Sequence, residues 1–517
     1  MFIKLLLLIV FFAITVGVGL YFRKRAVNVD GFVLGGRAVG PWLTAFAYGT
    51  SYFSAVIFVG YAGQFGWRFG VASTWVGIGN ALIGSLLPWV ILGRRTRVMT
   101  RHLNSSTMPE FFSKRFSSTA LKIAAAVIVF VFLIPYTASL YNGLSRLFAM
   151  AFNVDFIYCI IAMAVLTGVY VIAGGYFATA VNNFIQGIIM LIGIVAIIAV
   201  VLSNNGGFLG AIQSLARVED ATATTIPGAF ASFFGPDPVN LLGVVLLTSL
   251  GTWGLPQMVG KFYAITSEKA IHKGTIISTV FALVIAGGCY FLGGFGRLYS
   301  GVVDVAANGY DSIIPSMLSG FSDVLIGIII IMVFAASIST LSSLVMASAS
   351  TFILDFIKGH FIKEMGEKKQ VLLIRSLVAV FIVISSVIAV IQYRYKISVI
   401  ADLMGISWGA LAGAFLAPFL YGLYWKRVSK VSVWCSFLFS SLLMIANMLF
   451  RSSFPAIIQS PINAGAFAML AGLVIVPVVS VFTPKPPKER IDACFSCYEE
   501  TVTVKVMTDL GSNGAAE

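Results

Sequence analysis

The chain has 517 residues, of which 59% are hydrophobic and only 10% charged, with a formal net charge of +14. A soluble domain carries about 25% charged residues, so this composition excludes an ordinary soluble domain. The apolar runs last around 20 residues instead of alternating, which points to a helical membrane protein and away from a β-barrel.

Apolar stretches lie at 2–22, 41–66, 69–93, 121–150, 155–173, 182–203, 238–258, 274–296, 321–352, 371–391, 398–422, 431–450 and 461–482, predicting thirteen spans. The first could pass for a signal peptide. It is long, however, is followed by Arg23-Lys24-Arg25 and has no small-residue cleavage site, so a retained helix is expected. Basic residues cluster in alternate connections. They stand before the second span (Arg23, Lys24, Arg25, Arg37) and before the fourth (Arg94, Arg95, Arg97, Arg101, Lys114, Arg115, Lys122). More follow the seventh (Lys261, Lys269, Lys273), the ninth (Lys358, Lys363, Lys368, Lys369, Arg375) and the eleventh (Lys426, Arg427, Lys430). Lys485, Lys488, Arg490 and Lys505 lie in the tail. These positions hold roughly 26 of the 34 basic residues and fall on one side if the spans alternate, which the positive-inside rule makes the cytoplasm. The N-terminus is then outside and the tail inside. The basic excess reflects topology, not a nucleic-acid surface.

Two spans are interrupted. The second reads A-Y-G-T-S-Y-F-S-A-V-I-F-V-G from Ala47, and the seventh reads T-S-L-G-T-W-G-L-P-Q-M-V-G from Thr248. Glycine costs about 1 kcal/mol inside a helix and proline removes a donor. In lipid, carbonyls freed in this way are tolerated only where they line a cavity or meet a ligand. The two interruptions are five spans apart, as the first members of two halves of opposite orientation, the arrangement that puts a binding site between inverted repeats. Kinked packing helices are the alternative.

The run A-A-S-I-S-T-L-S-S-L-V-M-A-S-A-S-T-F-I-L-D, Ala335 to Asp355, follows the apolar run Val324–Phe334. Ala336, Ser339, Thr340, Ser343 and Ser350 share one helical face. Such a face admits two readings: close packing, with hydroxyls bonded back to their own helix, or oxygen ligands for a hard monovalent cation such as sodium. Asp355 and Glu110 fall at the basic side in loop-ordering positions, and Asp155, Asp311 and Asp402 near outer ends as solvated groups. His102, His272 and His360 fall in loops. With no carboxylate or imidazole expected at mid-membrane, sodium coupling is favoured over a proton relay. Cys159, Cys289, Cys435, Cys494 and Cys497 form no disulfide pattern, and the lone C-x-x-C at Cys494 lacks partners for a metal. No nucleotide loop, catalytic triad or metal cluster is legible, so no enzyme activity and no cofactor are expected.

Several segments are similar to the sodium/solute symporter family, whose members carry proline, sugars, sialic acid and pantothenate. They are F-V-L-G-G-R-A-V-G-P-W (Phe32–Trp42), M-P-E-F-F (Met108–Phe112), G-G-Y-F-A (Gly174–Ala178) with Gln186, G-L-Y-W-K-R (Gly422–Arg427) and the A-S-I-S-T-L-S-S run with Asp355. The match covers nearly the whole chain in order. It implies an all-α LeuT-type fold of about thirteen transmembrane helices. One transmembrane domain, 1–482, would hold an extra helix (2–22), a first repeat (41–203), a second inverted repeat (238–422) and two extra helices (431–482). A short cytoplasmic tail (483–517) would follow.

The resemblance implies a principal sodium site at Thr50, Phe53, Ala336, Ser339 and Thr340. A second sodium would use Ser342 and Ser343 with the family's W-T-D aspartate, but that motif is Val181-Asn182-Asn183 here, so Asn183 offers no charge and one sodium per cycle is expected. The stretch Y-T-A-S-L-Y-N-G (Tyr136–Gly143) and the break near Pro256 look most like the proline-carrier branch. That branch's aromatic pair falls on Thr248 and Thr252, with Trp253 one residue along, and the sugar carriers' amide falls on Ile57. A small zwitterion such as proline, or an organic anion, is therefore the expected solute. Ser54, Tyr136, Trp253 and Gln257 are the expected contacts, with plain packing as their alternative role. The implied function is sodium-coupled uptake across the cell membrane, with solute, sodium and lipid as partners and neither nucleic acid nor an obligate protein partner. A proton-coupled or sodium-independent carrier of the same fold is the rival, and a transporter-like sensor a lesser one.

Overall fold

A computed structural model describes residues 2–221, 223–362, 364–395 and 400–499. Lys363, Lys505 and the end of the tail, which the sequence reading placed in basic segments, lie outside the described residues. Among the described residues every long element is a helix. In order run α1 (Phe2–Phe22), α2 (Pro41–Tyr52), α3 (56–69), α4 (74–102), α5 (Thr119–Phe152), α6 (Phe156–Asn204), α7 (Pro238–Gly254) and α8 (Pro256–Ala264). Then follow α9 (Glu268–Gly294), α10 (Asp323–Thr351), α11 (Glu367–Tyr395), α12 (Ile400–Tyr424), α13 (Lys430–Leu449), α14 (Pro461–Phe482) and α15 (Lys488–Phe495).

Among the described residues 10 helices are long and apolar enough to cross a membrane, or 11 when the bent pair α7–α8 is one span. The thirteen apolar stretches of the sequence map onto these helices once two reversals are recognised. Gly70 (φ +61°) separates α3 from α4, and Gly175 (φ +61°) interrupts α6. Both glycines hold left-handed backbone that a side chain would strain. The arrangement is a LeuT-type, five-plus-five fold with one helix before the core and two after it.

Two helices form its centre. In α10, 83% of the apolar window is buried, and in α12, 89%. Their neighbours explain this: α10 packs on α1, α2, α5 and α6, while α12 packs on α5, α7, α13 and α14. A helix buried all round must tolerate close approach, and α7 allows it with glycines, Gly254 against the Ala412 backbone of α12 and Gly251 against Trp408. A Cβ at Gly251 would lie 2.3 Å from the Trp408 ring, so only glycine lets α7 sit against this indole. Trp408 in turn stacks on Tyr52 (centroids 5.4 Å apart) and meets Tyr136 edge-on at 5.9 Å.

Several charges lie deeper than their sequence positions predicted. Lys261, placed by sequence in the basic connection after the seventh span, is buried inside α8, because that helix continues past Gly260 to Ala264. Asp311 and Asp402, expected to be solvated, are buried beside Arg146 (3.6 Å) and Arg451 (2.8 Å). Asp355 is buried too. It accepts from the Thr107 hydroxyl at 2.5 Å and pairs with Lys122 at 3.5 Å, which orders the loop as expected. Glu110 caps that same loop through the Ser106 N–H, 2.8 Å away. Asp155 caps the start of α6.

The described part of the tail is docked. The Tyr498 hydroxyl donates to Arg95 O (3.1 Å), His102 Nε2 lies 2.8 Å from Ala493 O, and the Arg95 guanidinium is sandwiched between the Tyr424 and Tyr498 rings. Arg115 lies beneath, donating to Gly422 O and Trp425 O with the Phe495 ring over it. Burial lowers its guanidinium to about 10, so it remains charged at neutral pH.

Candidate cation and solute site

The first break originates at Phe53. Its ψ of 121° takes it out of the helix, which turns the following amides away from the carbonyls four residues back. The Ala55 N–H goes instead to Ser337 Oγ (3.3 Å). Thr50 O, freed at the end of α2, accepts from Ser339 Oγ (2.8 Å) and Thr340 Oγ1 (3.0 Å) across on α10. The same two hydroxyls also lie 2.8 and 3.0 Å from Ala336 O. Four oxygens from two helices therefore converge, and all four residues are buried.

Each hydroxyl has one proton and two lone pairs. As it stands, two protons serve two carbonyls. Rotating them outward turns the same atoms into an uncharged oxygen cage for a small hard cation, which a dry interior otherwise disfavours. The donor set fits sodium. Of the five residues expected there, four are joined by these contacts, and Phe53 forms the break itself.

The second cation position is different. Ser342 and Ser343 both donate back to Ser339 O, at 2.9 and 3.1 Å, and Ser343 shares a 2.7 Å hydrogen bond with Ser51. Lys261 Nζ stands 3.1 Å from Ser343 Oγ. Whenever it carries its proton, an amine at that distance repels a monovalent cation at low dielectric. Asn183 is buried with neither amide atom hydrogen-bonded, and no hydrogen bond joins it to Ser342 or Ser343.

The second break is Leu255 (ψ 122°), after which Pro256 opens α8 at an angle of 44° to α7. Proline suits a first helical position, where its missing N–H has no partner to lose. Gln257 follows, buried, with neither side-chain atom hydrogen-bonded. It lines a small cleft of ≈ 70 Å³ with Lys261, Tyr176, Thr179, Ser343 and Ser350, which Ser106, Thr107 and Met108 also border.

The remaining expected contacts do not all gather at one place. Ser54 lies at the first break, its hydroxyl 3.3 Å from the Val56 N–H, and Tyr136 is buried against Trp408. Trp253 points away from both, donating its indole N–H to Ile83 O at 2.8 Å. Sequence reasoning missed Lys261 and Tyr176. The four-residue spacing of Gln257 and Lys261 would have put them on one helix face, had the helix been carried past Gly260.

Among the described residues no group of three or more His, Cys, Asp or Glu gathers to hold a metal, and none of the five cysteines is in a disulfide. A multi-pass helical bundle, broken at matched positions where buried oxygens and amides converge, is the build of a membrane carrier. The chain belongs to the sodium:solute symporter family, whose model matches residues 32–437. It is 27% identical to the osmoregulated proline transporter OpuE of Bacillus subtilis, over 93% of this chain and 94% of that protein. It is 26% identical to a sodium/proline symporter of Staphylococcus aureus, over 93% of each. Its fold resembles a sodium-coupled sialic acid symporter in a substrate-bound outward-open state, with a TM-score of 0.73 and 17% identity over 94% of this chain and 99% of that one.

Proposed function

We propose that the protein is a sodium-coupled symporter that takes up a small zwitterion such as proline, or a related organic anion, through the cell membrane. The observation that carries this reading is the meeting of Ser339 and Thr340 with Thr50 O at the first break. Sodium bound there would tie α2 to α10 and favour a form open to the outside. Solute would lie between the two breaks, near Ser54 and Gln257, with Tyr136 closing one wall and Trp253 acting through its hold on α4. One sodium per cycle accords with the ammonium of Lys261 beside Ser343, which takes the ground of a second ion.

The basic loops orient the molecule. By the positive-inside rule the N-terminus is outside and the tail cytoplasmic. The cleft beneath Gln257 then lies toward the cytoplasm, suiting release. The 1–482 transmembrane domain, with halves 41–203 and 238–422, would rock between inward- and outward-open forms. The membrane potential adds about 2.3 kcal/mol per charge per 100 mV to uptake.

A proton-coupled carrier is the second reading, favoured by the buried Lys261, which sequence reasoning had placed in a loop. Thermal unfolding of detergent-purified protein in sodium and in potassium, across amino acids, carboxylates and sugars, separates the two. A solute that stabilises only in sodium supports symport with that ion. Equal stabilisation in both salts supports the proton-coupled carrier.

A further inference from the structure

The cleft under the second break holds polar groups that the sodium site does not use. Lys261 Nζ has three N–H donors. One reaches Ser343 Oγ at 3.1 Å, and the Tyr176 ring face lies 5.1 Å away. No carboxylate lies within 4 Å of this ammonium among the described residues. A buried lysine without a counter-charge holds its proton only at a cost, which an anion beside it would offset. Gln257, four residues earlier on the same face of α8, also lines the cleft with both amide atoms unpartnered, and so does Tyr176, whose hydroxyl has no partner. Each of these three side chains is more than nine-tenths buried. The N-terminus of α8 carries no side-chain cap and adds partial positive charge to the same wall. One ammonium, one amide and one phenol, all donors, thus border a single cleft.

We infer that Lys261, Gln257 and Tyr176 form a carboxylate subsite, which takes the acid group of the transported solute on the tail-facing side of the sodium site. Lys261 supplies the charge, while Gln257 Nε2 and the Tyr176 hydroxyl donate to the carboxylate oxygens. The inference rests on the transport reading for its role, since it gives the solute a station between the breaks and the exit. It also narrows the solute to molecules bearing a carboxylate.

The test uses the full-length protein in detergent and in buffers whose anion is methanesulfonate. Thermal unfolding is followed with L-proline, acetate, pyruvate and L-lactate, and with L-prolinamide, acetamide and lactamide as neutral-headed counterparts. At least one carboxylate is expected to stabilise the wild type, and its amide counterpart not. Lys261→Met is expected to weaken that carboxylate at least tenfold and Lys261→Arg to restore most of it, while the sodium-induced shift reports that each variant is folded. Should Lys261→Met fail to fold, Gln257→Met serves, with a smaller expected loss. Stabilisation by no carboxylate, or by the same carboxylate equally in Lys261→Met, overturns the subsite. So does a Lys261→Met protein whose sodium dependence turns cooperative, because the ammonium then stands in for a cation. Loss of the sodium shift in the wild type, with carboxylates still acting through Lys261, sinks symport and leaves the subsite standing.

Discussion

Replacing Ser339 with alanine tests the cation cage most directly. The change removes one of four converging oxygens, the one 2.8 Å from both Thr50 O and Ala336 O. It leaves the helix intact, since alanine is the best helix former. A hydrogen-bonding partner of a charged group is worth about 1.5–3 kcal/mol, and about 1.4 kcal/mol is a factor of ten in affinity. The sodium concentration for half-maximal effect should therefore rise about 10- to 150-fold. In thermal unfolding, sodium at a hundred times its Kd contributes about 2.7 kcal/mol, and a tenfold weaker site retains about 1.4 kcal/mol of it. Thr340→Ala should behave alike. The double variant should lose less than the sum, because both hydroxyls serve the same two carbonyls. The assay is a sodium titration of unfolding temperature at constant ionic strength, with potassium as the balancing cation. If the midpoints of wild type and both single variants coincide, the hydroxyls are packing groups and the cage is refuted.

Other perturbations probe the surrounding architecture. Gly251→Ala would drive a methyl to 2.3 Å from Trp408, and overpacking of this kind costs about 1–3 kcal/mol, so the unfolding temperature should fall, while Gly17→Ala, with open space around it inside α1, should not lower it. Arg115→Ala strips the donors from Gly422 O and Trp425 O and the cation from Phe495. Limited proteolysis should then cut 488–499 faster, and an unchanged rate would show the tail docked by other means. Asp311 is held by Arg146 and the Ile400 N–H, yet burial pushes its carboxyl above the usual carboxylate range. A raised folded-state value means that its stabilisation is fully present below the unfolded value and lost as pH rises through the folded one. The stability of wild type relative to Asp311→Asn should accordingly fall from pH 4 upward, and a pH-independent difference would contradict this.

Hydrophobic run lengths and the matched interruptions made the helical architecture legible, because lipid forces each backbone to satisfy itself within a helix and marks every exception. The Ser339–Thr340 pair stood out because it shares a buried face, where a hydroxyl either bonds back to its own helix or meets a partner, and here each reaches both Ala336 O and Thr50 O. What failed was the reach of the second broken helix. Gly260 and Lys261 look like the start of a basic loop when charge is the only guide, and this also hid the lysine from the argument about proton relays. Asp311 and Asp402 failed differently. Each has an arginine partner far away in sequence, 165 residues before Asp311 at Arg146 and 49 after Asp402 at Arg451. Pattern along the chain carries no information about such pairs.

The two breaks are not interchangeable, and the difference bears on coupling. At the first, backbone carbonyls are released and face hydroxyls, which suits a cation. At the second, a proline-opened helix presents the Gln257 amide and the Lys261 amine across a cleft from the Tyr176 phenol of α6, which suits an anion. Ser343 joins the two, since it touches Ser51 of α2 at 2.7 Å and Lys261 of α8 at 3.1 Å while donating to Ser339 O. If α2 moves against α10 when a cation leaves, that movement would disturb the hydroxyl beside Lys261. Linkage through one side chain is reciprocal. Whatever sodium does to solute affinity through Ser343, solute does to sodium affinity by the same factor. Ser343→Ala should therefore weaken that mutual dependence more than it weakens either ligand alone. Titrating sodium at several fixed concentrations of a stabilising carboxylate measures this, and a coupling factor unchanged from wild type would place the connection elsewhere in the bundle.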